Sequence, residues 1–344
     1  MSKTIALVSP GRTSSGGSAF SSQLAHELKS VLGAPVPEAS VPPSGRVTLP
    51  STITSCDVVV NLGARVMPHD GLSIYWPLNV APLDNGLDIL PHTSPRNRAR
   101  HVLLRTRLRQ SVNRADALVF GSHYARTLYM ARYARGSQLP YRVIPGGSPS
   151  LDVVPNAPDH ESPPFVLVCS HLYPYKGILE FIDAFIDARA HLPSGTTVRI
   201  AGADRDNVYA QAVHRRIADA GLSEDVTVAP AGGDELKALY AAADLCVFPS
   251  LCENAGSFSL FDGLHAGAAT LSSDRSSMPE VVRGATAMVN PFDRRAFARI
   301  LAELCGDPGR LRALRSQALG WSTEAPTWRW RAEQLVDFVE EVTR

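Results

Sequence analysis

The residues with the clearest chemical meaning lie in two short segments of the second half of the chain. The first is Ser-His-Leu-Tyr-Pro-Tyr-Lys-Gly, residues 170–177, which follows an apolar run and precedes an amphipathic pattern. A helix that begins there presents unpaired backbone N–H groups, and Lys176 adds a full positive charge. This combination suits a diphosphate, although a lysine in the first turn of a helix can also be an ordinary surface residue.

The second segment, residues 249–264, contains two carboxylates around a run of small residues. Glu253 and Asp262 flank residues 255–257, Ala-Gly-Ser, where the backbone can come close to a ligand. A carboxylate accepts hydrogen bonds from neighbouring sugar hydroxyls. The alternative is structural, because acids in loops and helices also cap backbone N–H groups. A third polar segment, residues 273–282, contains Glu280, whose role we interpret as structural.

Strands and helices must position these segments, and short apolar stretches alternate with amphipathic ones along the whole chain. This alternation predicts βαβ units around buried parallel sheets. Strands are predicted at residues 4–9, 57–62, 117–121, 141–144, 165–170, 197–202, 226–229, 245–249, 269–272 and 287–290. Helices are predicted at residues 18–32, 96–112, 122–133 and 327–343.

The predicted fold class is α/β, with two Rossmann-like doubly wound domains facing across a cleft. Residues 145–164 are rich in Pro, Gly, Ser and Asp, which is typical of an interdomain linker. We therefore expect a first domain at residues 1–160 and a second at 161–325. The final helix, within residues 326–344, is expected to pack back on the first domain. Open α/β sheets bind ligands at the carboxyl edge of their strands.

Composition excludes several classes of protein. A net charge of +1 shows no signature of nucleic-acid binding. No apolar run reaches the ~18 residues of a membrane span, and the first residues do not resemble a signal peptide. The five scattered cysteines form no CxxC pair, so neither a disulfide framework nor a zinc site is expected. A reducing, cytoplasmic location is consistent with this cysteine usage.

Three runs, ADLCVFPSLCEN, SDRSSMPEVV and NPFD, resemble the C-terminal half of the retaining glycosyltransferases of family four, which have the GT-B fold. The resemblance covers roughly residues 165–343, whereas residues 1–160 resemble the family only in outline. It implies an enzyme that transfers a sugar, such as a hexose, from a nucleoside diphosphate sugar to a hydroxyl acceptor. It also implies a donor held by the second domain, an acceptor facing the first, and no requirement for a metal or another cofactor.

The family's motifs place roles on particular residues. Lys176 and His171 would neutralise the departing diphosphate, and Glu253 would contact the hydroxyls of the donor sugar. The remaining donor-binding residues implied are Asp262 at the ribose, the backbone of Ala255, Gly256, Ser257 and Phe258, and Gly177. Two positions depart from the family: His171 stands where arginine is usual, and Phe261 occupies the usual position of the second acid, one residue before Asp262.

Signals in the first half are weaker. A glycine-rich loop that includes Gly16 and Gly17 would approach the diphosphate or the acceptor. Asn79, together with His69, Asp70 and Asp84, is expected near the acceptor. Asp204-Arg205-Asp206 has the pattern of a metal–diphosphate site, but two aspartates in a turn are more often helix caps.

Residues 96–114 contain seven arginines and an apolar stripe formed by Leu104, Leu108 and Val112. A basic amphipathic helix of this kind can make a weak peripheral contact with an anionic membrane. More commonly, such a helix packs its apolar stripe on a sheet and exposes its arginines to solvent.

Two alternatives to sugar transfer remain open. One is a nucleotide-sugar epimerase or hydrolase with the same architecture, and the other is a non-catalytic protein that binds nucleotide sugars. A nicotinamide-dependent dehydrogenase is disfavoured, because neither half carries the dinucleotide fingerprint with an acid ~20 residues further on.

Overall fold

The structure, a computed structural model, describes residues 3–10, 15–41, 48–63, 65–90, 92–158 and 162–344. The backbone divides into two compact units. The first unit comprises residues 1–84, 98–146 and 326–344, and the second comprises residues 85–97 and 147–325. No helix in the described part of the chain is both long enough and apolar enough to cross a membrane.

The first unit contains a parallel sheet of six strands in the order β2-β1-β3-β4-β5-β6. Its strands are β1 (Ile5–Pro10), β2 (Glu38–Val41), β3 (Val58–Asn61), β4 (Leu72–Tyr75), β5 (Ala117–Phe120) and β6 (Tyr141–Val143). Its helices are α1 (Ser15–Leu32), α2 (Ser51–Thr54), α3 (Pro95–Arg114, whose first three residues group with the second unit) and α4 (His123–Arg132). Strands β3 and β5 are buried along their whole length, as expected for strands covered on both faces.

The second unit repeats this architecture with the strand order β12-β11-β10-β7-β8-β9, again all parallel. Its strands are β7 (Phe165–Cys169), β8 (Thr197–Ala201), β9 (Val226–Ala229), β10 (Leu245–Phe248), β11 (Thr270–Ser273) and β12 (Ala287–Val289). Its helices are α5 (Ile178–Ala188), α6 (Asn207–Asp219), α7 (Gly233–Ala242), α8 (Phe258–His265), α9 (Met278–Val282), α10 (Arg294–Gly306) and α11 (Pro308–Glu324). The last helix of the chain, α12 (Trp328–Val342), belongs to the first unit.

The structure confirms the predicted α/β class with two Rossmann-like units, and every strand predicted in the second half is present. Two strands of the first sheet, β2 and β4, were not predicted. In β2 only the last residue, Val41, is buried, so the strand carries no apolar run. The four residues of β4 are Leu, Ser, Ile and Tyr, and the polar Ser73 interrupts the apolar run. Pairing with β1 and β3, rather than local pattern, creates these strands.

The stretch predicted as an interdomain linker is attached to the second unit from residue 147 onward. The side-chain amide of Asn156 donates to the carbonyls of Tyr240 at 2.7 Å and Ala243 at 2.8 Å, and Arg315 donates to its side-chain oxygen at 2.9 Å. Residues 85–97 are held in the same unit, where Asn97 donates to the carboxylate of Asp206. The polar, Pro-rich composition that predicted a linker did not reveal these anchors.

Helix α12 packs against α1 inside the first unit, where the rings of Phe20 and Trp328 meet edge to face at 5.4 Å. Helix α1 itself begins at Ser15, three residues before its predicted start. Gly16 and Gly17 therefore lie in the first turn of this helix, and the expectation that they form a loop is wrong. Residues 11–14, which include Gly11, lie outside the described residues.

Candidate functional site

The candidate site lies at the carboxyl edge of the second sheet, where strand order reverses. From β7 the chain adds β8 and β9 on one side, then returns to place β10 on the other side of β7. The loops that follow β7 and β10 therefore leave neighbouring strands in opposite directions. In open α/β sheets this switch point forms the crevice in which ligands bind. These two loops are residues 170–177 and 249–257, the segments that the sequence singled out.

The loop after β7 ends in a tight turn that leads into α5. Residues Pro174–Lys176 form one turn of 3-10 helix, and Gly177 then takes the left-handed conformation with φ of 68°. A Cβ atom at Gly177 would lie 2.1 Å from the carbonyl oxygen of Pro249. The backbone N–H of Leu251 also donates to the carbonyl of Tyr175 at 2.8 Å. The two loops are thus in direct backbone contact, which only glycine at position 177 permits.

Lys176 and Glu253 form an ion pair across these two loops. The Nζ of Lys176 lies 2.5 Å from Oε1 of Glu253, and the two side chains are only 16% and 10% exposed. The ammonium also lies 5.2 Å from the ring centre of Tyr175, which is within cation–π range. The two residues predicted to act on one diphosphosugar are therefore brought together by the fold.

The environment of this pair keeps Lys176 charged. Burial acts to lower the pKa of Lys176, but the carboxylate of Glu253, its hydrogen bond, and the nearby Tyr175 and Cys169 together outweigh burial and raise that pKa. Burial also raises the pKa of the Tyr175 hydroxyl to about 12, so the tyrosine stays neutral. The site accordingly holds one fixed positive charge and its carboxylate partner in a partly desolvated pocket, where electrostatic interactions are stronger than in water.

His171 lies in the same loop and is the neutral member of the group. Burial, with further contributions from the charges of Arg205 and Lys176, lowers its pKa below the ordinary value of 6.5. Its Nδ1 accepts the backbone N–H of Ala203 at 3.1 Å. Because Nδ1 is an acceptor, the neutral ring carries its proton on Nε2. The departure from the family's arginine thus supplies a hydrogen-bond donor and no charge.

We expect His171 to titrate below pH 6.5 and to couple folding to pH. Protonation of Nδ1 would set two N–H groups against each other at Ala203. The unfolded chain binds this proton more readily, so the free energy of unfolding should fall as pH drops from about 6.5 toward the lowered pKa of His171. Side-chain NMR of labelled histidine measures the titration and the tautomer. His171→Gln is the control, and a pKa at or above 6.5 in the wild type would contradict the assignment.

The acid-bearing turn is held by two serines that the sequence did not single out. The backbone N–H of Glu253 donates to Oγ of Ser276 at 2.9 Å. The hydroxyl of Ser277, which is fully buried, donates to the carbonyl of Glu253 at 3.0 Å and accepts the N–H of Gly256 at 2.9 Å. The third polar segment, residues 273–282, therefore positions Glu253. The Ser-Ser pair in a polar turn was the only signal in the sequence.

Asp262 lies in α8 with both carboxylate oxygens engaged inside the second unit. Oδ1 accepts the backbone N–H groups of Ser150 at 2.6 Å and Leu151 at 3.1 Å, and Oδ2 accepts the hydroxyl of Ser150 at 2.7 Å. This geometry favours the structural alternative, in which the acid binds nearby backbone N–H groups. Phe261, at the family's usual acid position, is buried and stacks on Trp321 with ring centres 5.9 Å apart. The ribose-binding role of Asp262 stays a prediction.

The backbone between these acids is only partly available to a ligand. The N–H of Gly256 is bonded to Ser277, so it does not point toward a sugar or phosphate. Ser257 caps α8, with its Oγ accepting the N–H of Leu260 at 3.2 Å. Ala255 and Phe258 are half-buried at the start of this helix. The first turn of α8 follows the loop after β10, where helical N–H groups lack intrahelical acceptors.

Of the residues predicted for the acceptor, the structure places only some at the carboxyl edge of the first sheet. Asn79 follows β4 there and accepts the N–H of Ala81 at 2.9 Å through its side-chain oxygen. His69 and Asp70 instead precede β4 at its amino end, where Nδ1 of His69 lies 3.2 Å from the hydroxyl of Ser73. The expectation for His69 and Asp70 is therefore wrong, because they lie at the opposite edge of the sheet.

The Asp-Arg-Asp tripeptide behaves as a cap. Oδ1 of Asp206 accepts the N–H groups of Val208 at 3.1 Å and Tyr209 at 3.2 Å, at the start of α6. Asp204 lies 3.2 Å from Nε2 of His214. Within the described ranges, no three His, Cys, Asp or Glu side chains are grouped as a metal site would require.

Comparison with known proteins agrees with this fold, and the match to a protein-family model lies in the second unit. Residues 163–307 match the family model described as Glycosyl transferases group 1. These residues contain both loops of the candidate site. The second unit, with both loops of the candidate site, is thus similar to a glycosyltransferase family over less than half of the chain.

Two curated relatives are similar over part of their length. The serotype-specific mannosyltransferase WbdA of Escherichia coli is 32% identical over 178 residues, which cover 50% of this chain and 21% of that protein. The GDP-mannose-dependent alpha-(1-6)-phosphatidylinositol monomannoside mannosyltransferase of Mycolicibacterium smegmatis is 26% identical over 258 residues. That match covers 68% of this chain and 65% of the relative. The chain thus spans about a fifth of the first relative and just under two thirds of the second.

Solved structures share the whole fold at low sequence identity. Sucrose-phosphate synthase from Thermosynechococcus elongatus aligns with a TM-score of 0.76 at 15% identity, covering 98% of each chain. HepE of Anabaena, in complex with UDP-glucose, aligns with a TM-score of 0.71 at 16% identity, covering 98% of this chain and 99% of its own. These similarities show the fold, which is the GT-B arrangement that the resemblance implied.

Proposed function

We propose that this chain transfers a sugar, with retention of configuration and without a metal, from a nucleoside diphosphate sugar to a hydroxyl acceptor. One observation carries the proposal. Lys176 and Glu253, which are 77 residues apart in sequence, meet at 2.5 Å at the switch point of the second sheet. A cation for a diphosphate and a carboxylate for sugar hydroxyls are the two groups that a diphosphosugar requires side by side.

The chemistry follows from where charge develops. The bond between the sugar's anomeric carbon and the β-phosphate oxygen breaks, and a bond from the acceptor oxygen to that carbon forms on the same face. The acceptor proton passes to an oxygen of the departing phosphate. Lys176, the Nε2 proton of His171 and the N-terminal end of α5 would stabilise the negative charge on the nucleoside diphosphate. No residue of the site is assigned as a covalent nucleophile.

The donor is proposed to be GDP-mannose or a closely related nucleotide hexose. Support comes from the names of the two relatives described above. Both are mannosyltransferases, and the one from Mycolicibacterium smegmatis is GDP-mannose-dependent. A structural neighbour binds UDP-glucose, which is the natural second candidate. Phe261 stands in place of the family's second acid, so we propose that ribose recognition depends on groups other than a carboxylate at that position.

The decisive experiment separates binding, transfer and hydrolysis. Thermal shift with a panel of nucleoside diphosphate sugars identifies the donor, because a ligand at 100 times its dissociation constant adds ~2.7 kcal/mol to stability. The identified donor is then incubated with and without candidate hydroxyl acceptors, and with EDTA. We expect nucleoside diphosphate release that depends on the acceptor, is unaffected by EDTA, and gives a product with the donor's anomeric configuration by NMR.

The alternatives give different results in the same experiment. Conversion of the donor without an acceptor would identify an epimerase or hydrolase. Donor binding with no turnover across a broad acceptor panel would identify a non-catalytic binding protein. Loss of activity in EDTA that returns with a divalent cation would contradict metal independence.

We also propose a weak peripheral contact with anionic membranes through α3. The apolar stripe predicted for α3 faces inward, because its residues Leu108 and Val112 are buried. Val102 and Leu103, however, are 59% and 52% exposed on the same helix, among the arginines of residues 96–114. Exposed apolar residues flanked by arginines suit the boundary between lipid headgroups and acyl chains.

The Val102→Ser, Leu103→Ser double variant tests this contact. Wild-type protein should sediment with phosphatidylglycerol vesicles, weakly with phosphatidylcholine, and less as salt increases. The double variant should bind at least about tenfold less tightly, since each apolar side chain contributes ~1.5–3 kcal/mol when fully buried and a fraction of that when partly buried at the headgroup boundary. Val208→Ser, which alters a 48% exposed apolar residue of α6, is the control. Equal sedimentation of the wild type and the double variant would rule out this role.

A cytoplasmic location is the final part of the proposal. None of the five cysteines, all of which fall in the described part of the chain, forms a disulfide, and all five are buried. Fractionation of the producing cells, with and without a high-salt wash of membranes, measures both the compartment and the strength of membrane contact.

A further inference from the structure

Arg331 of helix α12 is the most deeply buried cation among the described residues of the first unit. The whole residue is only 3% exposed to solvent. Three aromatic rings surround the guanidinium carbon: Trp328 at 4.5 Å, Phe20 at 4.7 Å and Trp76 at 5.8 Å. Buried charges in proteins are normally paired with an opposite charge or bind a ligand. The π faces of the rings attract the positive charge. They do not replace the conventional hydrogen bonds that the five N–H donors of an arginine can make.

No anion of the described chain pairs with this guanidinium. Its Nε is buried and has no hydrogen-bond partner among the described residues. Burial alone lowers the pKa of Arg331 to about 9, with no carboxylate acting in the other direction. Residues 11–14, which lead into α1, contain no acid in sequence. Arg331 is therefore a protonated group at neutral pH whose counter-ion is not found in the part of the chain that the structure describes.

Arg142 shows how the same unit treats a cation that serves packing. It also contacts α12, where its guanidinium lies 5.3 Å from the ring of Phe338. Unlike Arg331, it donates to the carbonyl of Gln334 at 3.0 Å and pairs with the carboxylate of Glu341 at 2.6 Å. An arginine whose role is to attach α12 thus has polar partners within the helix itself. Arg331 has the aromatic contacts without these partners.

The position of Arg331 is that of a ligand-binding edge. Trp76 is the first residue after β4, at the carboxyl end of that strand. Phe20 lies in α1, the helix that follows β1. In the first sheet, strand order reverses between β1 and β3, and β4 is the next strand along. Two of the three rings therefore belong to segments that follow β1 and β4, at or beside the switch point of the first sheet, where open α/β sheets bind ligands. The third ring, Trp328, belongs to α12 itself.

We propose that Arg331 binds an oxyanion, a phosphate or carboxylate group, of a ligand held by the first unit. Arginine binds both groups through paired N–H donors in a fixed plane. On the function proposed above, this ligand is the acceptor, which would carry an anionic group besides its reacting hydroxyl. The oxyanion site itself does not require that function, because it rests on the contacts of Arg331 alone.

Inorganic phosphate is the probe, and thermal shift in the intact chain is the measurement, with chloride at matched ionic strength as reference. Phosphate also stabilises proteins without binding to them. This general effect should be the same in Arg331→Met, Arg331→Lys and the control Arg142→Met.

We expect an additional, saturable rise in melting temperature in the wild type and Arg142→Met. The apparent affinity should be about tenfold weaker or more in Arg331→Met, and intermediate in Arg331→Lys. Acetate in place of phosphate tests the carboxylate.

Two results would overturn the proposal. One is an equal phosphate response in Arg331→Met and the wild type, and the other is a wild-type response that rises without saturation. If Arg331→Met does not fold, tryptophan fluorescence of the wild type replaces it, because Trp76 and Trp328 both lie beside the guanidinium. A saturable fluorescence change on addition of phosphate that is smaller in Trp328→Phe than in the wild type supports the site. The absence of a saturable change in the wild type, or an equal change in Trp328→Phe, overturns it. If phosphate binds but no sugar transfer is found, the oxyanion site is supported and only the proposal that its ligand is a sugar acceptor is rejected.

Discussion

Replacing Lys176 with alanine should lower turnover by about two orders of magnitude or more. Loss of a single group that stabilises developing charge costs ~2.7–4 kcal/mol in comparable enzyme sites. Lys176 is held at 2.5 Å from Glu253 in a pocket where both side chains are at most 16% exposed, so water substitutes poorly for it. Steady-state kinetics with saturating donor measures the effect, and the loss should appear in kcat more than in KM.

The structure requires two controls for this variant. Lys176→Ala leaves the carboxylate of Glu253 without its partner, and an unpaired buried charge is destabilising in itself. Unfolding in urea must therefore show that the variant is folded under assay conditions. Lys237→Ala is the matched control, because Lys237 pairs with Asp234 at 3.2 Å on the surface of the same unit. Wild-type turnover in a folded Lys176→Ala protein would remove the lysine from the mechanism.

Glu253→Gln separates the two halves of the proposed donor. Glutamine keeps the size of the side chain and a hydrogen bond to Lys176 but loses the charge and part of the capacity to accept bonds from sugar hydroxyls. Calorimetry should show weaker binding of the nucleotide sugar with little change for the free nucleoside diphosphate. An equal loss for both ligands would contradict the assignment of Glu253 to the sugar.

Gly177→Ala should cause a large loss of stability, because it joins a backbone clash to a strained conformation. The new Cβ would meet the carbonyl oxygen of Pro249 at 2.1 Å, and the residue would have to keep φ at 68°. The left-handed conformation alone costs ~1–2 kcal/mol for a residue with a side chain. Relief of the clash requires separation of two backbone segments, because no side chain can move aside. We expect a decrease in unfolding free energy at or beyond the upper end of the ~0.5–3 kcal/mol typical of substitutions.

Gly221→Ala isolates the conformational part of that cost. Gly221 has φ of 65°, almost the same as Gly177, but no atom lies within 4 Å of its added Cβ. It should lose only ~1–2 kcal/mol. Because separation of the two loops moves Lys176 from Glu253, Gly177→Ala should also lose transferase activity, whereas Gly221→Ala should retain it. Equal stability losses in the two variants, measured by urea denaturation, would show that the loops are not in rigid contact.

The sequence by itself determined the architecture and the location of the site's two loops. Short runs rich in apolar residues in the second half predicted all six strands of one sheet, because strands covered on both faces, such as β7 and β10, are mostly apolar. The segments at residues 170–177 and 249–264 stood out by residue type, and the parallel sheet brings the ends of β7 and β10 to one edge. Local pattern was sufficient where burial itself imposes the pattern.

Only the tertiary structure decided which polar groups bond to each other. Asp262 has the residue type of a ligand-binding acid, yet its oxygens bind Ser150 and Leu151, more than 110 residues away in sequence. Ser277 looked like any serine in a turn, but its hydroxyl positions Glu253. The sequence did not single out Arg331, which is buried among aromatic rings from three separate elements. Hydrogen bonds and charge pairs depend on distances and angles of a few ångströms between remote segments, and no periodicity of the sequence encodes them.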